Sequence, residues 1–156
     1  AILQAQTWFT PAVLRIGDVS KINCITALPL YHIFALTLCF LSVQWGSYMT
    51  LIPNPRDIDK FVDGASVKQV GAHNFSICLE GINQMLTVDK NHLCQTMLNL
   101  YAMKGMIVEP AGALSVAGLD LIHGQIKNKV VVCIISGGNF DPKRFPEITK
   151  IAHSIS

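Results

Sequence analysis

The turn Ser136-Gly137-Gly138-Asn139 is the stretch of this sequence best suited to chemistry. It follows the apolar run Val130–Ile135, which predicts a strand buried on both faces of a parallel sheet. Ligands of open α/β sheets bind at the carboxyl ends of the strands, where this turn could present backbone amides or a hydroxyl. It is too short for a P-loop and lacks the Gly-x-Gly-x-x-Gly spacing of a dinucleotide site. A tight turn that needs glycine only for its backbone angles is the alternative interpretation.

Two further stretches could face a ligand. Glu109–Leu119, "EPAGALSVAGL", carries almost no side-chain bulk, so a helix here could approach a cofactor closely, and close helix packing alone would explain it equally well. In "DKFVDGASV", Gly64 could let the backbone lie flat against a planar ligand, although Asp-Gly turns are common in loops. The five histidines and five cysteines show no metal-ligand spacing, and no CxxC motif occurs. We therefore expect no metal site, and reduced thiols in a cytosolic compartment.

The elements around these stretches alternate between strand and helix, which predicts an α/β fold. Asp89 is expected to cap a helix through its carboxylate, and Pro110 favours a first helical position. In the helix after Asp89, one apolar stripe is formed by Leu93, Met97, Leu100 and Tyr101. The predicted elements are a mostly helical segment in Ser66–Ile82, a strand at Gln84–Val88, a helix from Asp89 to Lys104-Gly105, a strand at Met106–Val108, a helix opened by Glu109-Pro110, the strand Val130–Ile135 and a helix from about Pro142.

The composition divides the chain into two unlike parts. Of its 156 residues 51% are hydrophobic and 14% are charged, and a net charge of +2 without a basic cluster does not indicate a nucleic-acid partner. Residues 22–52 carry no Asp, Glu, Lys or Arg and are a candidate membrane-associated segment, although Pro29 and Gly46 interrupt the run and favour a buried segment. We therefore divide the chain into an unassigned hydrophobic segment, residues 1–56, and a domain, residues 57–156. A cytoplasmic location is expected, with membrane association through 22–52 as the alternative.

Taken in order, "DIDKFVDGASVKQVG", "VEPAGALSVAGLDL" and "KNKVVVCIISGGNFD" resemble the carboxyl-terminal part of the catalytic domain of threonine dehydratases. These enzymes belong to the tryptophan-synthase-β-like, fold-type II family of pyridoxal-phosphate enzymes. The resemblance covers Asp57 to about Glu147 and none of the first 56 residues. It implies an incomplete α/β fragment of that fold, preceded by an unmatched hydrophobic segment.

The resemblance also implies a cofactor and a reaction. The cofactor is pyridoxal 5'-phosphate, and the reaction is β-elimination of L-threonine to 2-oxobutanoate and ammonia, in isoleucine biosynthesis or threonine catabolism. Ser136 would contact the pyridine nitrogen, and its neutral hydroxyl would leave the ring a weaker electron sink, which suits β-elimination. The other cofactor-binding residues implied are Gly64 near a face of the ring, Glu109 and Ala111 on the ring-nitrogen side, Gly137 and Gly138 in the turn, and Asn139 bracing it.

Parts of the family's site are not found in this sequence. None of the nine lysines lies in the Ser-x-Lys-x-Arg-Gly type motif that supplies the Schiff-base lysine, and no glycine run longer than Gly137-Gly138 could hold the phosphate. We therefore expect no catalytic residue here and an inactive chain when it is alone. The alternatives are a non-catalytic remnant, a membrane-anchored module, or a relative of serine racemases and serine dehydratases that acts on L-serine. Family members are homo-oligomers, so further copies of the chain are an implied partner.

Overall fold

The computed structural model describes residues 22–26, 48–51, 61–62, 76, 82–138 and 140–154. Within these ranges the strands are β1 Ile22–Thr26, β2 Tyr48–Leu51, β3 Gln84–Met85 and β4 Val130–Cys133. The α-helices within the same ranges are α1 Lys90–Lys104, α2 Pro110–Ala117 and α3 Phe145–Ala152, with 3-10 turns at Asp120–Ile122 and Pro142–Arg144. This alternation of strand and helix confirms the predicted α/β class.

The described strands form one parallel sheet in the order β3-β2-β1-β4. The chain builds outward from β1 through β2 to β3 and then places β4 on the opposite side of β1. In open α/β sheets, such a reversal of strand order opens a crevice at the carboxyl ends of the strands beside it, and ligands bind there. Ile25 pairs with Cys133, so β1 and β4 end side by side. Ser136 follows the end of β4 by three residues and therefore lies beyond this edge of the sheet.

Strands β1 and β2 come from the two ends of the hydrophobic segment 22–52. Because β1 pairs with β4, the sheet takes strands from both sides of the predicted division at Asp57, and the division itself stays a prediction. Residues 27–47 lie outside the described residues. In the part of the chain that the structure describes, no helix is both long and apolar enough to cross a membrane.

Three of the strand predictions need correction. The strand predicted at Gln84–Val88 ends at Met85. The strand predicted at Met106–Val108 is wrong: these residues link α1 to α2 without strand structure, since the Met106 amide closes the end of α1 on the Leu100 carbonyl at 3.2 Å. The strand predicted at Val130–Ile135 ends at Cys133 and is not buried on both faces. Val130 is 44% exposed because β4 lies at the edge of the described sheet, with β1 on only one side.

Helix α1 has the predicted bounds, but its first turn is not capped as predicted. Asp89 is the residue before the helix, and within the described residues its side chain makes no capping hydrogen bond. Asp89 is exposed, so water can solvate its carboxylate. At the other end, the Gly105 amide donates a hydrogen bond to the Tyr101 carbonyl at 2.9 Å. Gly105 has a φ of 64°, the left-handed conformation with which glycine commonly ends a helix. Of the predicted apolar stripe, Tyr101 is 50% exposed and lies outside the core.

The core lies where α1 packs against both α2 and α3, and α2 also contacts β1. Helix α1 satisfies the backbone carbonyls at the end of α3: Gln95 Nε2 donates to Ala152 O at 3.0 Å and Asn91 Nδ2 donates to Ser154 O at 2.8 Å. The buried hydrophobic residues are Phe61, Val62, Val88, Leu93, Cys94, Met97, Val108, Ala111, Ala113, Leu114, Ala117, Ile122, Phe140, Ile148 and Ala152.

Cys94 offers a test of this core. Its side chain is 0% exposed, and burial raises the pKa of its thiol to about 11. At pH 8 we expect iodoacetamide to label Cys94 about a hundredfold more slowly in the folded chain than in guanidinium, because the thiolate is the nucleophile. Peptide mapping by mass spectrometry measures both rates, and equal rates would contradict the buried placement.

The same thiol makes stability depend on pH. Because the folded chain binds this proton more tightly than the unfolded chain, the free energy of unfolding is unaffected below the ordinary thiol pKa of 9.0 and falls as the pH rises towards about 11. The variant Cys94→Ala is the matched control, since it should lose this part of the pH dependence.

Candidate functional site

The residues after β4 run along the first turns of α2 in the opposite direction. Ser115 Oγ donates to the Ile134 carbonyl at 2.5 Å, and the Glu109 amide donates to the Gly137 carbonyl at 2.9 Å. Between these points Ser136 Oγ donates to Glu109 Oε1 at 3.3 Å. Helix α2 therefore holds both ends of the segment 134–137, and with it the position of the Ser136 hydroxyl.

Gly112 permits this close approach. A Cβ atom at Gly112 would overlap the backbone carbonyl of Ser136 and would stand 2.9 Å from the Ser136 amide nitrogen. Glu109, Gly112 and Ser115 recur at intervals of three residues, so they share one face of the helix. The small side chains of α2 thus allow this face of the helix to pack directly against the backbone of Ser136.

Gly137 and Gly138 have different environments although they are neighbours. Gly137 has a φ of 79°, in the left-handed region that favours glycine, and a Cβ there would overlap the side-chain carbons of Glu109. No atom of the described residues lies within 4 Å of the Cβ position at Gly138, which is exposed. Of the two positions, only position 137 requires glycine because of its surroundings.

The chemistry of this edge centres on one hydroxyl and one carboxylate. Ser136 and Glu109 are both half-buried, so a ligand in the crevice could reach them while water is partly excluded. A serine hydroxyl can donate one hydrogen bond and accept others, whereas an ionised glutamate only accepts. Among the described residues, no group of His, Cys, Asp and Glu side chains could hold a metal ion. The Ser136 hydroxyl can therefore donate a hydrogen bond to an acceptor atom of a ligand.

The structure brings together three of the seven residues that the resemblance assigns to the cofactor site. Ser136, Gly137 and Glu109 are in mutual contact, as described above. Gly64 and Asn139 lie outside the described residues, although their neighbours Val62 and Phe140 are buried, with 7% and 8% exposure.

Sequence reasoning missed the residues that hold the segment from the helix side. Gly112 and Ser115 were visible only as parts of a small-residue helix, and their positions three and six residues after Glu109 are the signal that could have found them. His92 is half-buried and connects α1 to the end of α2. Its Nε2 lies 3.1 Å from the Ala117 carbonyl and 3.2 Å from Asp120 Oδ2. No local pattern in the sequence indicates that pairing.

Comparison with known proteins identifies the family. A family model described as "Pyridoxal-phosphate dependent enzyme" matches residues 45–137 of this chain. The chain belongs to this family. The matched range begins before the expected start at Asp57 and includes α2, β4 and the turn with Ser136 and Gly137. The family resemblance proposed from the three sequence motifs is confirmed. The fold of the pyridoxal-phosphate dependent family is likewise confirmed.

Individual relatives agree with this assignment. The chain is 49% identical over 109 residues to the biosynthetic L-threonine dehydratase IlvA of Staphylococcus saprophyticus, covering 70% of this chain and 25% of the relative. The processed form of threonine deaminase isoform 2 from Solanum lycopersicum shares the fold, with a TM-score of 0.75, 22% identity, and coverage of 93% of this chain and 48% of that one. A pyridoxal 5'-phosphate-dependent aspartate racemase also shares it, with a TM-score of 0.72, 20% identity, and coverage of 94% and 52%. The chain thus spans about a quarter of the length of the curated relative and about half of each solved structure.

Proposed function

We propose that this chain forms the ring-nitrogen wall of a pyridoxal 5'-phosphate site in an L-threonine dehydratase. The whole protein would convert L-threonine to 2-oxobutanoate and ammonia by β-elimination, in the cytoplasm and as a homo-oligomer. The choice of threonine is supported by the 49% identity to a biosynthetic L-threonine dehydratase. Fold alone does not support one reaction over another, since an aspartate racemase has a similar fold.

The observation that carries the proposal is the placement of the Ser136 hydroxyl. It lies just beyond the carboxyl end of β4, where the strand order reverses, and α2 fixes it from behind through Glu109 and the close approach at Gly112. An open α/β sheet binds its ligand at such a point. A ligand in the crevice would therefore meet a hydroxyl that is already held in place.

The donor chemistry of this edge fits a pyridine ring. An unprotonated pyridine nitrogen accepts one hydrogen bond, and Ser136 has one hydroxyl proton to donate. That proton now points to Glu109 over a long contact of 3.3 Å, so rotation of the hydroxyl towards a ligand gives up only a weak hydrogen bond. When bound, the cofactor supplies an electron sink for loss of the substrate's α-proton, and a serine, unlike an aspartate, does not stabilise a protonated ring nitrogen.

The remaining site residues have more modest proposed roles. Glu109 would line the ring-nitrogen side and accept the hydrogen bond of the Ser136 hydroxyl when no ligand is present. Gly137 would shape the turn, which is consistent with its positive φ. Gly64 near a ring face and Asn139 as a brace of the turn are proposals from the sequence resemblance.

A hybrid enzyme tests this function. Residues 45–154 of this chain would replace the corresponding stretch of the Staphylococcus saprophyticus dehydratase, which supplies the rest of the protein. We expect the hybrid to form 2-oxobutanoate from L-threonine, measured as its dinitrophenylhydrazone. Ser136→Ala should lower kcat by about tenfold to a hundredfold, the worth of one hydrogen bond made in the transition state.

The controls separate failure of folding from failure of function. Circular dichroism and retention of the cofactor must match between the hybrid and its Ser136→Ala variant. A folded, cofactor-loaded hybrid that ignores L-threonine, or in which Ser136→Ala leaves kcat unchanged, would contradict the proposal. Formation of D-serine from L-serine instead would favour the racemase alternative. The 156-residue chain by itself is the negative control, since none of its lysines lies in the Schiff-base motif.

A further inference from the structure

His92 on α1 binds the carboxyl-terminal end of α2. Its Nε2 lies 3.1 Å from the Ala117 carbonyl oxygen and 3.2 Å from Asp120 Oδ2. Ala117 is the last residue of α2, so its carbonyl is one of those that a helix leaves without a partner of its own. The imidazole supplies that partner from a different helix, 25 residues earlier in the sequence.

The two acceptors determine which ring nitrogen carries a proton. A backbone carbonyl and an ionised carboxylate can only accept hydrogen bonds, so Nε2 of His92 must be protonated to bind either of them. The Asp120 side chain is 75% exposed, whereas Ala117 is buried. Water can therefore replace the imidazole at the carboxylate more easily than at the Ala117 carbonyl, where loss of the partner costs more.

The end of α2 that His92 binds is close to a hydrogen bond that fixes Ser136. Ser115 lies two residues before Ala117, has no exposed surface, and donates to the Ile134 carbonyl, two residues before Ser136. Because both residues belong to the last turn of α2, a shift of Ala117 moves Ser115 as well. The position of the Ser136 hydroxyl therefore depends on the attachment of α2 to α1 and not on α2 alone.

We propose that His92 is a positioning residue for Ser136. By attaching the end of α2 to α1, it keeps the Ser115 hydroxyl on the Ile134 carbonyl and so keeps the Ser136 hydroxyl at the edge of the crevice. It acts through α2 and not on the ligand. The assignment rests on the proposed function for its effect on catalysis, whereas its effect on the turn is a property of the chain without ligand.

Hydrogen exchange of the full chain, followed by mass spectrometry, tests the proposal. In His92→Ala we expect exchange to quicken about threefold to tenfold in peptides that contain 113–118 and in peptides that contain 134–138, because one hydrogen bond is lost. Peptides from α3 should keep their rates. The matched control is His153→Ala, which removes an imidazole whose Nδ1 lies 2.7 Å from the Thr149 carbonyl, away from α2. It should leave 134–138 unchanged.

Two amide variants distinguish positioning from the mere loss of a side chain. A glutamine can place its amide nitrogen near the position of the imidazole Nε2, whereas an asparagine is one methylene shorter and falls short of the Ala117 carbonyl. His92→Gln should therefore restore protection of 134–138, and His92→Asn should not. In the hybrid enzyme, His92→Ala and His92→Asn should lower kcat about threefold to tenfold, and His92→Gln should recover it.

The exchange pattern separates this role from a general structural one. Unchanged exchange of 134–138 in His92→Ala would overturn the proposal, even if 113–118 loosened, because the end of α2 would then move without the turn. Faster exchange throughout α1 and α3, or equal rates in His92→Gln and His92→Asn, would overturn it too. Since these measurements need neither cofactor nor activity, they are independent of the hybrid enzyme. The expected exchange pattern together with a hybrid that ignores L-threonine would contradict the proposed function while supporting the placement of the turn by His92.

Discussion

Replacing Gly112 by alanine should lower the free energy of unfolding by about 3 kcal/mol, at the upper end of the usual range for overpacking. The added Cβ would overlap the Ser136 carbonyl oxygen and stand 2.7 Å from its carbon. These are backbone atoms, which cannot rotate away as a flexible side chain can. Helix α2 must therefore move off the segment 134–137, and the hydrogen bond from Ser115 to Ile134 is strained or lost. Urea denaturation followed by far-ultraviolet circular dichroism measures the change.

Gly124→Ala is the matched control for this substitution. No atom of the described residues lies within 4 Å of the Cβ position at Gly124, and its surroundings are exposed. We expect its free energy of unfolding to stay within about 0.5 kcal/mol of the parent. If Gly112→Ala were equally neutral, the approach between α2 and Ser136 would not be the constraint that we describe.

The sequence predicts local structure well where a single residue decides it. Pro110 at a first helical position starts α2, and Gly105 with its positive φ ends α1, both as expected. Each of these signals acts through the residue's own backbone chemistry and needs no distant partner. The last helix behaves in the same way, except that Pro142 begins a 3-10 turn and α3 begins at Phe145.

The predictions that failed depend on neighbours that local patterns cannot show. Met106–Val108 has the composition of a strand, but the Met106 amide is bonded to the end of α1. The run from Val130 looks like an interior strand, yet its place at the edge of the described sheet is a property of strand order. Tertiary context overrides local preference in both cases.

The residues of the candidate site show the same difference between local sequence signals and features that depend on tertiary packing. Ser136 could be found from its motif because a family resemblance carries its role. Gly112 and Ser115 act on backbone atoms about twenty residues away in the sequence. No periodicity within one element encodes such distances, so these residues become visible only when the elements are packed together.

Two neighbouring glycines in the turn should respond in opposite ways to the same substitution. Gly137→Ala should lower the free energy of unfolding by about 2 to 4 kcal/mol, because it combines an unfavourable left-handed backbone with overpacking. The added Cβ would meet the Glu109 side chain, which must swing away and release the Ser136 hydroxyl. In the hybrid enzyme, we therefore expect kcat to fall along with stability.

Gly138→Ala adds the same methyl group one residue further on, into open space. Alanine there should leave stability unchanged or raise it by about 0.5 kcal/mol, since it restricts the unfolded chain. Urea denaturation of both variants gives the comparison directly, and kcat of the hybrid should be retained in Gly138→Ala. If the two variants lost stability equally, the turn would need glycine at both positions for its backbone alone. The contact between Gly137 and Glu109 would then have no part in holding Ser136.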